Sequence, residues 1–261
     1  VAPNLTLGST DIYSARPAVR QANQSTFKYL YFGGLLISRL PKWIEYGAFI
    51  LAFVAGFINA IGLISLDHQA ISHLSGTVTL LGASFLDAPL RTSADLTGVL
   101  LSFLLGASLS GVLLHSRTLK LGHHYGLALI IEALLIFWSI YLFSNGSYYG
   151  CYAASAACGV QNALATKYSG AIVRTTHMTG IFTDLGIMFG SALRGEELDK
   201  RKLILFLLII AGFITGGTLG TYLFRVYLFN ALYIPAFICL ILSFVYTAYS
   251  KRKHLVTAER I

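Results

Sequence analysis

Six long apolar runs dominate this sequence, near residues 44–66, 95–115, 125–144, 148–166, 203–224 and 229–249. Each is about 20 residues, the length an α-helix needs to cross a hydrocarbon layer about 30 Å thick. The segments between them are too short to fold as a second soluble domain. With 56% hydrophobic and 11% charged residues, the chain has too little polar surface to cover a body of its size in water. The expected fold is therefore an all-α polytopic membrane protein with one membrane domain over residues 44–250.

The remaining composition narrows the function classes. A net charge of +8 would suit nucleic acid in a soluble protein, but here the basic residues gather in loops and tails. There they serve orientation against an anionic membrane leaflet, and no basic module interleaved with aromatics supports a nucleic-acid partner. Cys151, Cys158 and Cys239 fall in apolar segments without ligand spacing, so neither a structural metal nor any other cofactor is expected. Residues 1–43 are polar and turn-rich, lack the apolar core of a cleavable signal, and read as a flexible cytosolic tail. The stretch "YLYFGGLLIS" within that tail is too short to span and suits an interfacial anchor. Residues 251–261 read as a basic cytosolic tail.

Two further segments, 72–86 and 176–193, are short, interrupted by glycine and rich in Ser and Thr, which suits re-entrant half-helices. The distribution of basic residues favours that reading. If both segments dip in and return, Arg39, Lys42, Arg117, Lys120, Lys167, Arg174, Arg194, Lys200, Arg201, Lys202, Lys251, Arg252 and Lys253 share one side with both termini, against Arg91 and Arg225 on the other. If both segments span, Arg117, Lys120, Lys167 and Arg174 change sides and the bias weakens. Six spans plus two re-entrant pieces, with both termini cytoplasmic, is the better topology.

An internal duplication follows from alignment of the chain with itself. A shift of 104 places "HLSGTVTLLG" on "HMTGIFTDLG", and a shift of 103 places Gly56, Asn59 and Ala60 on Gly159, Asn162 and Ala163. The halves are then 44–144 and 148–250, each with three spans and one short piece. Three is odd, so the second half enters the membrane the opposite way up, giving an inverted 3+3 repeat with its short helices meeting near the midplane. Four spans per half would make the repeat parallel instead.

The duplicated polar residues are the candidate binding site: Asn59, His73, Ser75, Gly76, Thr79, Asn162, His177, Thr179, Gly180, Thr183 and Asp184. Polar side chains at membrane depth need partners, since lipid offers none. Asn59 and Asn162 either bond neighbouring helices or line a path. Ser72 and Thr176 are expected N-caps. Two half-helix N-termini facing one another would favour an anion or a polarised neutral solute. His73, His177, Asp184 and Glu132 are candidates for proton coupling, because ionisable groups inside a membrane mark such routes by default. Glu132 could instead lie near the cytoplasmic interface and pair with Arg117 or Lys120. Gly212, Gly216 and Gly220, with Ala107 and Gly111, form small-residue faces expected to press on the re-entrant pieces or on a second copy in a homodimer.

The stretch "VRTTHMTGIFTDLG", with "GVQNA" before it and "HLSGTVTLLG" in the first half, resembles the YoaK-like family of bacterial membrane proteins, domain of unknown function 1275. The resemblance covers about residues 44–250 and implies a six- or seven-span protein of the bacterial inner membrane, without implying an activity. Thr77 stands where that family usually carries Asn. The expected function is a small-solute transporter or channel for a small polar or anionic solute, with the lipid bilayer as its surroundings. Two alternatives are an intramembrane enzyme using His177 and Asp184 as an acid/base pair, and a membrane assembly or sensing component without an aqueous path.

Overall fold

The computed structural model describes residues 43–65, 71–114, 123–168 and 174–258, and among them there is no strand. Eight α-helices follow in order: α1 Trp43–Ser65, α2 Leu74–Asp87, α3 Leu90–Leu113, α4 His123–Ser144, α5 Tyr149–Tyr168, α6 Met178–Leu193, α7 Lys200–Tyr227 and α8 Tyr233–Ala258. A 3-10 turn, Leu228–Leu232, joins the last two. Residues 1–42, with the expected tail and interfacial stretch, lie outside the described residues, as do Arg117 and Lys120.

The protein is membrane-embedded. Among the described residues four stretches are long and apolar enough to cross a bilayer: Glu45–Ser65, Leu90–Leu113, His124–Ser144 and Lys200–Tyr249. The last is 50 residues long and contains both α7 and α8. The run expected at 148–166 does form α5, yet α5 is not among these stretches. Ala, Gly, Ser and Cys give it less hydrophobicity than Leu-rich neighbours, and its faces are covered by protein: Ala154, Ala157, Cys158, Val160 and Leu164 are buried. A helix enclosed by other helices has no need to match lipid.

Several boundaries depart from expectation for local reasons. Helix α3 begins at Leu90, five residues before the apolar run, because Pro89 at the N-cap starts it without needing an N–H partner. Asp199 caps α7, its carboxylate accepting from the Arg201 and Lys202 N–H groups at 3.1 and 3.0 Å, so that helix starts among its lysines. Gly146 takes φ 68° just after α4, the left-handed cap that glycine adopts at little cost. The backbone of α8 stays helical through Ala258, into the segment expected to be tail.

Packing directions are legible from individual contacts. Gly212, Gly216 and Gly220 of α7 rest on the backbone at Phe49, Phe53 and Phe57 of α1, so the two helices run parallel. The glycine face expected to meet the re-entrant pieces or a second copy is therefore an internal face against α1. Helices α3 and α5 also run parallel, with Gly98 at Tyr152, Ser155 Oγ donating to the Val99 carbonyl at 2.9 Å, and Lys167 Nζ donating to the Gly111 carbonyl at 2.9 Å. Helix α8 runs antiparallel to α4: Phe137 meets Tyr233 and Phe237, Ser243 Oγ donates to the Gly126 carbonyl at 2.8 Å, and Tyr125 stacks on Tyr246.

The closest approaches come in matched pairs. A Cβ on Gly56 would strike the Phe213 carbonyl, and one on Gly159 would strike the Phe103 carbonyl. Likewise Gly216 faces the backbone of Phe53 and Gly106 that of Ala156. Small residues at these points let backbones touch, which is how membrane helices gain dispersion contact when lipid is as apolar as they are. Gly216→Val should lower the unfolding free energy by about 1–3 kcal/mol through overpacking. Gly186→Ala, with nothing within 4 Å of the added carbon, should cost less than about 0.5 kcal/mol. Thermal unfolding of both variants in lipid nanodiscs checks the contrast.

Candidate functional site

The two short helices begin in the same way. Ser72 Oγ donates to Asn59 Oδ1 at 2.9 Å, and the Ser72 N–H reaches the same oxygen at 3.2 Å. In the other half Thr176 Oγ1 donates to Asn162 Oδ1 at 3.2 Å. The next residues, His73 and His177, are the true N-caps, with φ/ψ of −94°/67° and −91°/60°. Their carbonyls accept from Thr77 and Ile181 N–H groups, both at 3.2 Å. Ser72 and Thr176 are thus committed to the asparagines and do not cap, correcting the expectation from sequence. Neither histidine side chain caps its helix. The first-turn N–H groups of α2 and α6, which have no acceptor within a helix, receive none from the cap side chains either.

These two starts, 104 residues apart in sequence, face one cavity of about 620 Å³. Of the expected site residues, His73, Ser75, Asn162, His177 and Thr179 line it. Asn59 stands behind it and holds Ser72, which lines it together with Thr176. Gly76, Thr79, Gly180 and Thr183 are not among the lining residues. The Thr79 and Thr183 hydroxyls turn back on their own helices, donating to the Ser75 and Thr179 carbonyls, both at 2.9 Å. Gly180 supports the site indirectly: a Cβ there would collide with the His177 ring, whereas Gly76 has open space.

The two acidic candidates lie elsewhere. Asp184 faces Lys202 at 3.6 Å, and Lys202 also sits over the Phe206 ring. Asp184 does not line the cavity. Glu132, a candidate for proton coupling that had the interface as its alternative place, is fully buried, with the Cys239 thiol facing its carboxyl group. The ionisable groups around it are the Cys158 and Cys239 thiols. No cluster of His, Cys, Asp and Glu that could hold a metal is present among the described residues.

The structure also brings in residues that the sequence reading passed over. Leu74, Phe103, Thr166 and Met178 line the cavity, and so does Arg174. By sequence alone Arg174 reads only as an orientation charge. Its position was readable: it precedes His177 by three residues, where the first half has Ala70 before His73. Phe103 and Thr166 carry no such sign, since tertiary packing alone brings α3 and α5 to the cavity.

The chain matches the family described as "Protein of unknown function (DUF1275)" over residues 47–245, and it belongs to that family. No match was found among curated proteins or among solved structures.

The asparagine contacts are measurable as couplings. A double-mutant cycle on Asn59→Ala and Ser72→Ala should give about 0.6 kcal/mol, the mean for membrane hydrogen bonds, and the Asn162/Thr176 cycle a value of the same sign. Unfolding equilibria in mixed detergent give both; two couplings at zero would show that the geometry contributes no stability.

Proposed function

We propose that this member of the family is a small-solute transporter or channel whose site is the cavity between the starts of α2 and α6. One observation carries the reading. Two polar motifs in distant parts of an apolar chain converge on a single cavity, and each is positioned by the same asparagine-to-hydroxyl hydrogen bond. A cavity of that size carrying hydroxyl, imidazole and amide groups within a membrane protein gives a solute what lipid cannot, namely donors and acceptors in place of water.

Packing directions support the proposed architecture of six spans and an inverted repeat. Helix α7 runs with α1, α3 with α5, and α8 against α4. The hairpin of α4 and α5 sets those two opposite one another, with Ser139 Oγ donating to the Gly150 carbonyl. Tyr125 at the start of α4 shares a pocket with Tyr46 at the start of α1, and Phe143 at the end of α4 and Phe224 near the end of α7 both pack on Phe229, so α1, α4 and α7 point one way and α3, α5 and α8 the other. Helix α3 then leaves from the side where α1 ends, and α7 from the side where α5 ends. Pieces that dip in and return suit these gaps, and the shortness of α2 and α6 supports that reading: they have 14 and 16 residues, about 21 and 24 Å at about 1.5 Å per residue. Equivalent helices α4 and α8 pack antiparallel, as an in-plane pseudo-twofold axis requires and an axis along the membrane normal does not.

In this arrangement Lys167, Arg174, Arg194 and Lys200–Lys202 lie on one side, which we assign to the cytoplasm of a bacterial inner membrane, with both termini there. His73 and His177 are the candidate proton carriers at the cavity. Glu132, fully buried in α4 beside the Cys239 thiol, is a further candidate. Asp184, paired with Lys202 outside the cavity, gives the acid/base enzyme reading no support.

Single cysteines at Ser75 and Thr179 test the proposal, because the native cysteines are buried. Both should react with a charged, membrane-impermeant thiol reagent, while a cysteine at Leu105 should not. Proteoliposomes should also take up at least one of acetate, inorganic phosphate, glycine and glycerol faster than empty vesicles. Unreactive cysteines together with no uptake would remove the reading.

A further inference from the structure

Among the described lining residues Arg174 alone carries a fixed charge, and no carboxylate lines the cavity with it. Its guanidinium forms no ion pair among the described residues; the nearby acid of that half, Asp184, is taken by Lys202. The charge is not a requirement of the local fold. The other half has Ala70 at the corresponding position and builds the same helix start, with the same hydrogen bond and nearly the same cap dihedrals. The side chain is exposed at the cavity rather than buried in the bundle, so its charge is open to a solute that enters there.

We propose that Arg174 is the specificity-determining residue of the cavity and binds the oxyanion group of a small organic anion, a carboxylate or a phosphate ester. This inference rests on reading the cavity as a solute site. A guanidinium offers two parallel N–H donors matched to such a group, and the Ser75 and Thr179 hydroxyls are further donors within the same cavity. The volume of about 620 Å³ far exceeds a carboxylate, and Leu74, Phe103 and Met178 edge it with apolar surface for the body of the anion. The oxyanion could be on a soluble metabolite or on an anionic lipid headgroup entering from the membrane.

The test uses the full chain in phosphatidylcholine nanodiscs, with butyrate as probe, butyramide as its neutral isostere, and the variants Arg174→Gln and Arg174→Lys. Butyrate should raise the melting temperature of the wild type in a dose-dependent way while butyramide should not. Arg174→Gln should weaken the apparent butyrate affinity at least tenfold, and Arg174→Lys, which keeps the charge without the fork, should fall between. Melting without ligand shows that the variants fold. A second set of nanodiscs containing phosphatidylglycerol identifies the source: stabilisation of the wild type over Arg174→Gln by this lipid, with loss of the butyrate effect, assigns the oxyanion to a headgroup. Equal responses of wild type and Arg174→Gln to both butyrate and phosphatidylglycerol would overturn the proposal, as would butyramide acting as well as butyrate. Arg174-dependent binding without any uptake into proteoliposomes would instead overturn transport alone. Uptake of glycerol unchanged by Arg174→Gln, with no butyrate binding, would overturn the anion and leave transport standing.

Discussion

Among apolar helices a polar group finds few partners, so the residues leading into the short helices α2 and α6 must have their polar groups met by protein. Here that task falls to two asparagines. Asn59 takes both the hydroxyl and the N–H of Ser72, and Asn162 takes the hydroxyl of Thr176. Each bond fixes the residue just ahead of a helix start, and with it the direction in which α2 or α6 sets out. The histidines that follow, the hydroxyls of Ser75 and Thr179, and the cavity they share all depend on those two anchors. The asparagines are themselves placed by backbone contacts one helical turn away, at Gly56 and Gly159, where α1 meets α7 and α5 meets α3. Glycine packing therefore positions asparagine, asparagine positions the starts of the short helices, and those starts border the cavity.

Much of this chain of dependence was written in the sequence because it occurs twice. Gly56 with Asn59, and Gly159 with Asn162, share a spacing of three; Ser72 with His73, and Thr176 with His177, are adjacent in both copies. Duplication raised these residues above an apolar background in which any single one would have looked incidental. The roles within the motif were harder to read. Ser72 and Thr176 looked like caps, since a hydroxyl before a helix usually is one, but a competing acceptor thirteen or fourteen residues earlier in the chain captured them. Thr79 and Thr183 looked like lining, yet both satisfy themselves one turn back on their own helices. A hydroxyl in a membrane helix has that option at every position, and spacing cannot say whether it uses it.

Features present only once were read least well, for the converse reason. Glu132 has no acidic counterpart, and its burial beside Cys158 and Cys239 follows from how α4, α5 and α8 pack, which no local pattern encodes. Asp184 stands where the first half has Leu80, which made it look functional; Lys202 on the neighbouring helix α7 answers it instead. The glycine stripe of α7 has periodicity enough to be noticed but carries no label for its partner, and α1 rather than a second copy fills that face.

Arg174 joins the two classes. It stands inside the duplicated segment, so its surroundings are fixed by the shared design, while its side chain belongs to one copy only. A two-fold scaffold made from identical halves would present the same polarity from both sides of the cavity. Replacing Ala70 by an arginine at one of the two equivalent positions breaks that balance without disturbing either helix start, since Ala70 and Arg174 both precede the anchored hydroxyl. Under the proposal, the duplicated helix starts supply the frame and a single unmatched cation supplies the sign. The cavity's other polar groups are hydroxyls, imidazoles and an amide, which can turn either a donor or an acceptor toward what they meet, so under the proposal that sign is what separates an anion from a neutral molecule of the same shape.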